Sequence, residues 1–97
     1  MQALAIATSA LVAQTAVVNV VAQNVANALT PGYAAKTASL VSMNPGVKVG
    51  AVVDAASPEV DLGSEFATLM QARTAYKAAL KIFSTSEQMS RALLASV

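Results

Sequence analysis

Among its 97 residues the chain has no cysteine, no histidine and no tryptophan, and only 11% of its residues are charged. Without Cys there can be no disulfide, thiolate nucleophile or zinc finger, and without His no imidazole triad and no haem held through imidazole. Six Lys and Arg stand against five Asp and Glu, a formal charge of +1. That balance lacks the clustered basic excess with which a protein displaces counterions from nucleic acid. Asp61 and Glu65 are the nearest approach to paired carboxylates, and they fall at a helix start, where capping and the helix dipole account for them. No glycine-rich phosphate loop or set of metal ligands accompanies them. The expectation is no enzyme activity, no cofactor, no metal, no small-molecule substrate and no nucleic-acid partner.

What the chain does have is apolar surface of an unusual kind: 56% of the residues are hydrophobic but only 4% are aromatic. Ala and Val supply most of it, and small side chains let long helices approach closely. A chain this short buries only roughly 60 to 65% of the surface its unfolded form exposes, so partners that cover more of it add needed stability.

From Met1 to Ala35 there is no charged residue. Leu4, Leu11, Val18 and Val25 recur at seven, and Thr8, Thr15, Ala22 and Leu29 interleave in steps of four and three, which predicts a heptad seam on a helix spanning residues 1–29. Such a helix runs roughly 40 Å. Its other faces carry Gln14, Asn19, Gln23, Asn24 and Asn27, uncharged groups that need partners or water. Ala3 to Ala22 also has the length of a membrane span. Gln14 and Asn19 near its middle, and the absence of a flanking base before Lys36, argue against one. No basic stretch precedes Leu4, which argues against a secretory signal peptide. Thr30, held out of the α region by Pro31, ends the helix, and Gly32 suits the positive φ of a type II turn. Asn27 reads as a last-turn residue.

Residues 30–56 read as a turn and a β-hairpin. Leu40, Val41 and Met43 precede Asn44-Pro45-Gly46, and Val47, Val49, Ala51 and Val53 then alternate with Lys48, Gly50, Val52 and Asp54. An isolated hairpin is marginal and must lie on the helices or on another subunit. The second helix occupies residues 57–97. It is capped either by Ser57 with Pro58 in the first turn or by Asp61 with Glu65. Phe66, Leu69, Tyr76, Leu80, Phe83 and Leu94 form one apolar seam on it, interrupted by Arg73 and Glu87, and Ala72, Ala75, Ala79, Ile82, Met89 and Leu93 form the adjacent one. The whole is a single domain over residues 1–97 of mainly α class: two long terminal helices, packed as an antiparallel or coiled-coil-like pair, joined by a short β-hairpin excursion. Two helices cannot hide all this apolar surface, and the remainder marks an interface.

Asn24-Val25-Ala26-Asn27-Ala28-Leu29-Thr30-Pro31-Gly32-Tyr33 closely resembles the N-terminal motif of bacterial flagellar axial proteins, the rod and hook family. The second helix resembles the same family's C-terminal segment in Val60-Asp61-Leu62, Glu65-Phe66, Gln71-Ala72-Arg73-Thr74-Ala75-Tyr76-Lys77-Ala78 and Ser84-Thr85-Ser86-Glu87-Gln88-Met89. The resemblance implies a structural subunit of the basal-body rod whose terminal helices pack with other copies and other axial proteins into a torque-transmitting tube. It also implies export by the flagellar type III apparatus, without a cleaved signal peptide, to the rod in the periplasmic space. Larger members carry outer β domains between the two ends, so this chain is most like a short proximal rod protein; a hook-side or adaptor protein is the alternative within the family, and a membrane-active amphipathic helical protein the alternative outside it. The assembly interface expected on this reading comprises Leu4, Leu11, Val18, Asn24, Val25, Asn27, Pro31, Gly32 and Tyr33 on the first helix and its turn. On the second it comprises Phe66, Leu69, Arg73, Tyr76, Leu80 and Phe83. Tyr33 reads equally as a subunit contact or as a ring covering the end of the helix pair, and Arg73, Lys77 and Lys81 either as a basic stripe facing a neighbour or as a solvated face.

Overall fold

A computed structural model describes residues 2–96, apart from the side chain of Gln2. The elements follow in the order α1 (Gln2–Ala26), β1 (Lys36–Ser42), β2 (Val47–Asp54) and α2 (Leu62–Ala95). The two helices lie antiparallel: Asn24 at the end of α1 bonds Glu65 at the start of α2, and Val18 shares a groove with Leu69 and Tyr76 further along. The hairpin packs on α1, so α1 is covered on two sides and α2 on one. The result is an elongated body of 62 × 22 × 15 Å.

The helix seam differs from the one the heptad spacing predicts. The buried positions are Ala7, Ala13, Val21 and Asn24 on α1 and Ala72, Ala79 and Ser86 on α2, whereas Leu4, Leu11 and Val18 are half-buried and Val25 is exposed. Thr8, Thr15, Ala22 and Leu29 are exposed too. On α2 the buried residues are all small, which lets the backbones approach closely, whereas on α1 Val21 and Asn24 are buried beside Ala7 and Ala13. The larger side chains of α2 are thereby displaced to the flanks. Thr8 and Thr15 satisfy their hydroxyls within the helix, donating to the carbonyls of Leu4 and Leu11 at 2.9 and 2.8 Å.

The first helix also stops earlier, at Ala26 rather than Leu29. Asn27 lies just past its end and turns its side chain back to the Gln23 carbonyl at 2.9 Å. Leu29, 97% exposed, projects from the connecting turns. The Thr30–Tyr33 turn is the one the sequence predicts: Tyr33 N donates to Thr30 O at 3.2 Å, and Gly32 has φ 81°. Positive φ at the third position behind a proline defines type II.

The strands pair antiparallel with an irregularity at Ser39/Leu40 that leaves Gly50 without an opposite residue. This bulge breaks the expected alternation: Val47 and Val49 turn toward α1 and are half-buried, while Ala51 and Val53 are exposed. The Asn44–Pro45 peptide in the connecting turn is cis. The hairpin tip is anchored to α1, where Ser9 Oγ accepts from Val47 N at 3.2 Å. At its base, Ala35 N donates to Pro58 O at 3.0 Å and Ala55 N to Ala35 O at 2.9 Å. Seven strand residues span about 23 Å, a match for the roughly 22 Å of α1 between Ser9 and Asn24. Of the two capping alternatives for α2, Asp61 is the N-cap, its Oδ1 accepting from Gly63 N and Ser64 N.

Candidate assembly surface

Asn24 is the most enclosed side chain among the described residues, with 0% exposure. A buried primary amide is tolerated only if its donors and acceptor are matched. Its Nδ2 donates to Lys36 O and to Glu65 Oε1, each at 2.8 Å, and its Oδ1 accepts from Tyr33 Oη at 2.7 Å and from Lys36 N at 2.9 Å. One side chain thus joins the end of α1, the turn, the start of β1 and the first turn of α2. The type II turn makes this possible, because it reverses the chain so that the Tyr33 ring lies back over α1. Tyr33, half-buried, caps the pair through this bond. Sequence reasoning missed Glu65 as a partner: it stands 41 residues from Asn24, and its place in the first turn of α2 already had a sufficient explanation.

Beside this junction the two helices leave an open apolar groove. Thr15, Val18, Leu69, Ala72, Arg73, Tyr76, Lys77 and Leu80 line a stretch of about 660 Å³. Leu69 carries the groove on into a second stretch lined by Val21, Val25, Leu62, Glu65 and Phe66. The structure therefore brings together Val18, Val25, Phe66, Leu69, Arg73, Tyr76 and Leu80 of the expected interface. The seam of larger residues read from the sequence lies along the outer edge of the pair, while Ala72 and Ala79 of the adjacent α2 seam lie in its interior. Phe66, 63% exposed, is the largest uncovered ring. Leu11 and Phe83 are half-buried outside both stretches, and Pro31 and Gly32 are exposed at the turn. Leu4 lines a different groove of about 750 Å³, between α1 and the hairpin, with Val12, Met43, Val47 and Val49.

Arg73, Lys77 and Lys81 are exposed, and the first two stand on the rim of the helix groove. An ion pair joins Lys36 to Asp54 across the hairpin base. The hydrogen bond and then the charge of Asp54 hold the Lys36 ammonium above its ordinary value of 10.5. By length and composition alone, Ala3–Ala26 could cross a membrane. The chain exposes 6578 Å², where a compact monomer of 9.8 kDa exposes about 5,200 Å². Its radius of gyration is 16.8 Å against about 12.5 Å expected for a globule of this length.

Two family models match, one at each end. Residues 4–33 match flagella basal body rod protein, and residues 56–96 match flagellar basal body rod FlgEFG protein C-terminal. No curated protein matches the chain significantly. The first match closes on Tyr33, the residue that bonds Asn24, and the second takes in the Asp61 cap and all of α2. With both helices of the pair matched in chain order, the chain belongs to the flagellar basal-body rod proteins, a family of structural, non-enzymatic components of the flagellum.

Proposed function

We propose that the chain is a short, proximal-type subunit of the rod, assembling with other copies and other axial proteins into a helical tube that transmits torque. The observation that carries this reading is the continuous apolar groove on the flank of the helix pair, open from Val25 and Phe66 to Leu80. Surface of that kind on a small chain gains from being covered by neighbours, and a stiff antiparallel pair repeated through heterologous contacts generates an open helical array. Arg73 and Lys77 on the rim supply charges that an acidic group of a neighbour can meet. Asn24 contributes from within, by setting how the turn and hairpin leave the helices. Export proceeds through the flagellar type III apparatus, without signal-peptide cleavage, to the rod in the periplasm.

The test is incorporation. Val18→Asp places a carboxylate in the groove, where solvent accommodates it in the free chain and a neighbour's apolar surface does not. Export with native helicity but exclusion from isolated rods supports the proposal. Normal rods and swimming would refute it. The apolar length of α1 favours one other reading, membrane association; sedimentation of the full chain with liposomes, and its loss on Val18→Asp, would favour that reading instead.

A further inference from the structure

The inward line of α2 repeats at seven: Glu65, Ala72, Ala79 and Ser86, the last three buried and all three small. Sliding α2 along α1 by one heptad, about 10.5 Å, replaces small by small in the middle of this seam and brings Leu93 to the place of Ser86 near its end. Ala79 would stand where Ala72 stands and Ser86 where Ala79 stands. Packing in the middle of the seam therefore discriminates weakly between alignments one heptad apart. Asn24 discriminates strongly. In the observed alignment its Nδ2 lies 2.8 Å from Glu65 Oε1. After the slide Ala72, which has no acceptor, would face an amide with 0% exposure that water does not reach.

We propose that Asn24 and Glu65 form the register key of the helix pair: a single buried amide-to-carboxylate hydrogen bond that selects one heptad-related alignment of an otherwise permissive alanine seam. The selection reaches the outer surface, because Val25 opposes Phe66 in this alignment and would oppose Arg73 in the slipped one. Asn24 is the better half of the key for a second reason. Its remaining bonds fix Tyr33 and Lys36, so the alignment of the helices and the placement of the hairpin are set by the same group. The inference concerns the fold of the chain and does not depend on rod assembly.

The chain has no native Cys, so engineered pairs report alignment directly. Val25→Cys with Phe66→Cys reads the observed register and Val25→Cys with Arg73→Cys the slipped one. Each is treated with a methanethiosulfonate cross-linker shorter than one heptad, in the full chain at a concentration where circular dichroism shows the helices formed. Monomer-sized product is scored. With the key intact, the first pair should exceed the second by at least about tenfold. Asn24→Ala should bring the two yields within about threefold, and Glu65→Gln, which keeps an acceptor for Nδ2, should retain the preference. If Asn24→Ala loses helicity, Asn24→Leu fills the position with apolar atoms and is judged by the same ratio. A preserved tenfold preference in the helical Asn24 variant, or its loss in Glu65→Gln, overturns the proposal.

Discussion

Alanine at Gly46 and alanine at Gly32 should have unequal consequences, although both glycines hold positive φ, 101° and 81°. The shared cost is that of an L side chain in the left-handed region, about 1 to 2 kcal/mol. At Gly32 nothing lies within 4 Å of the added Cβ, so the shared cost is the whole effect. At Gly46 the Cβ would fall 2.0 Å from Ser9 Oγ and 3.0 Å from Ser9 Cβ. Ser9 must then rotate or the hairpin tip must lift, and either breaks the bond from Val47 N to Ser9 Oγ. A lost hydrogen bond adds about 0.5 to 1.5 kcal/mol, bringing Gly46→Ala to about 1.5 to 3.5 kcal/mol. Because the hairpin packs on α1, and its tip lies on α1 at Ser9, the damage should stay local. Amide exchange of Val47–Asp54 should accelerate by roughly ten- to a hundredfold, while the exchange of α2 hardly changes. Ser9→Gly removes the obstructing side chain, and in that background Gly46→Ala should cost no more than Gly32→Ala does. Equal losses at the two glycines, or no relief from Ser9→Gly, would show that the tip of the hairpin is not seated on α1 as described.

Ala79→Leu should weaken the helix pair by about 1 to 3 kcal/mol through overpacking, seen as reduced helicity of the free chain, whereas Leu80→Ala on the neighbouring groove should leave helicity nearly unchanged and impair rod incorporation. Tyr33→Phe removes the Oη donor to Asn24 and should cost about 1 kcal/mol, measured as faster exchange at the Lys36 amide. Since the folded-state pKa of Lys36 is raised by Asp54, the stabilisation from this pair is fully present below pH 10.5 and disappears as pH rises through the higher folded value. Hairpin chemical shifts followed upward in pH should therefore reach their midpoint at a higher pH in the wild type than in Asp54→Asn. The dilute monomer should be poorly protected at both helix ends, as its excess surface implies; global protection by hydrogen exchange in a verified monomer would contradict that expectation.

The local elements were legible in the residues themselves because each rests on chemistry confined to a few positions. Pro31 and Gly32 dictate the turn, Asn44-Pro45-Gly46 separates the strands, and the approach to α2 offers two capping residues, Ser57 and Asp61, between which the structure chooses Asp61. The family resemblance lay in two contiguous stretches and was equally accessible. The end of α1 was placed three residues late, since Asn27, Ala28 and Leu29 have no residue-level reason to leave the helix, and the hydrogen bonds of the turn that draw them away involve Thr30 and Tyr33.

Which helix faces meet was decided only by tertiary structure. Heptad spacing identifies lines of residues but does not rank a line of Leu and Val above a line of Ala. In α2 the line that faces inward is the small one, Ala72, Ala79 and Ser86, which permits close approach of the backbones. That choice moves Val18, Val25, Phe66 and Leu80 to the flank and turns a core expected from the pattern into an open groove. Asn24 shows the same division. Its type and its place in a recognisable motif are properties of the sequence. Its partners Lys36 and Glu65, 12 and 41 residues away, become neighbours only after the turn, the hairpin and the return of α2 have brought them there. A hydrogen bond requires proximity in space, and no spacing along the chain encodes it.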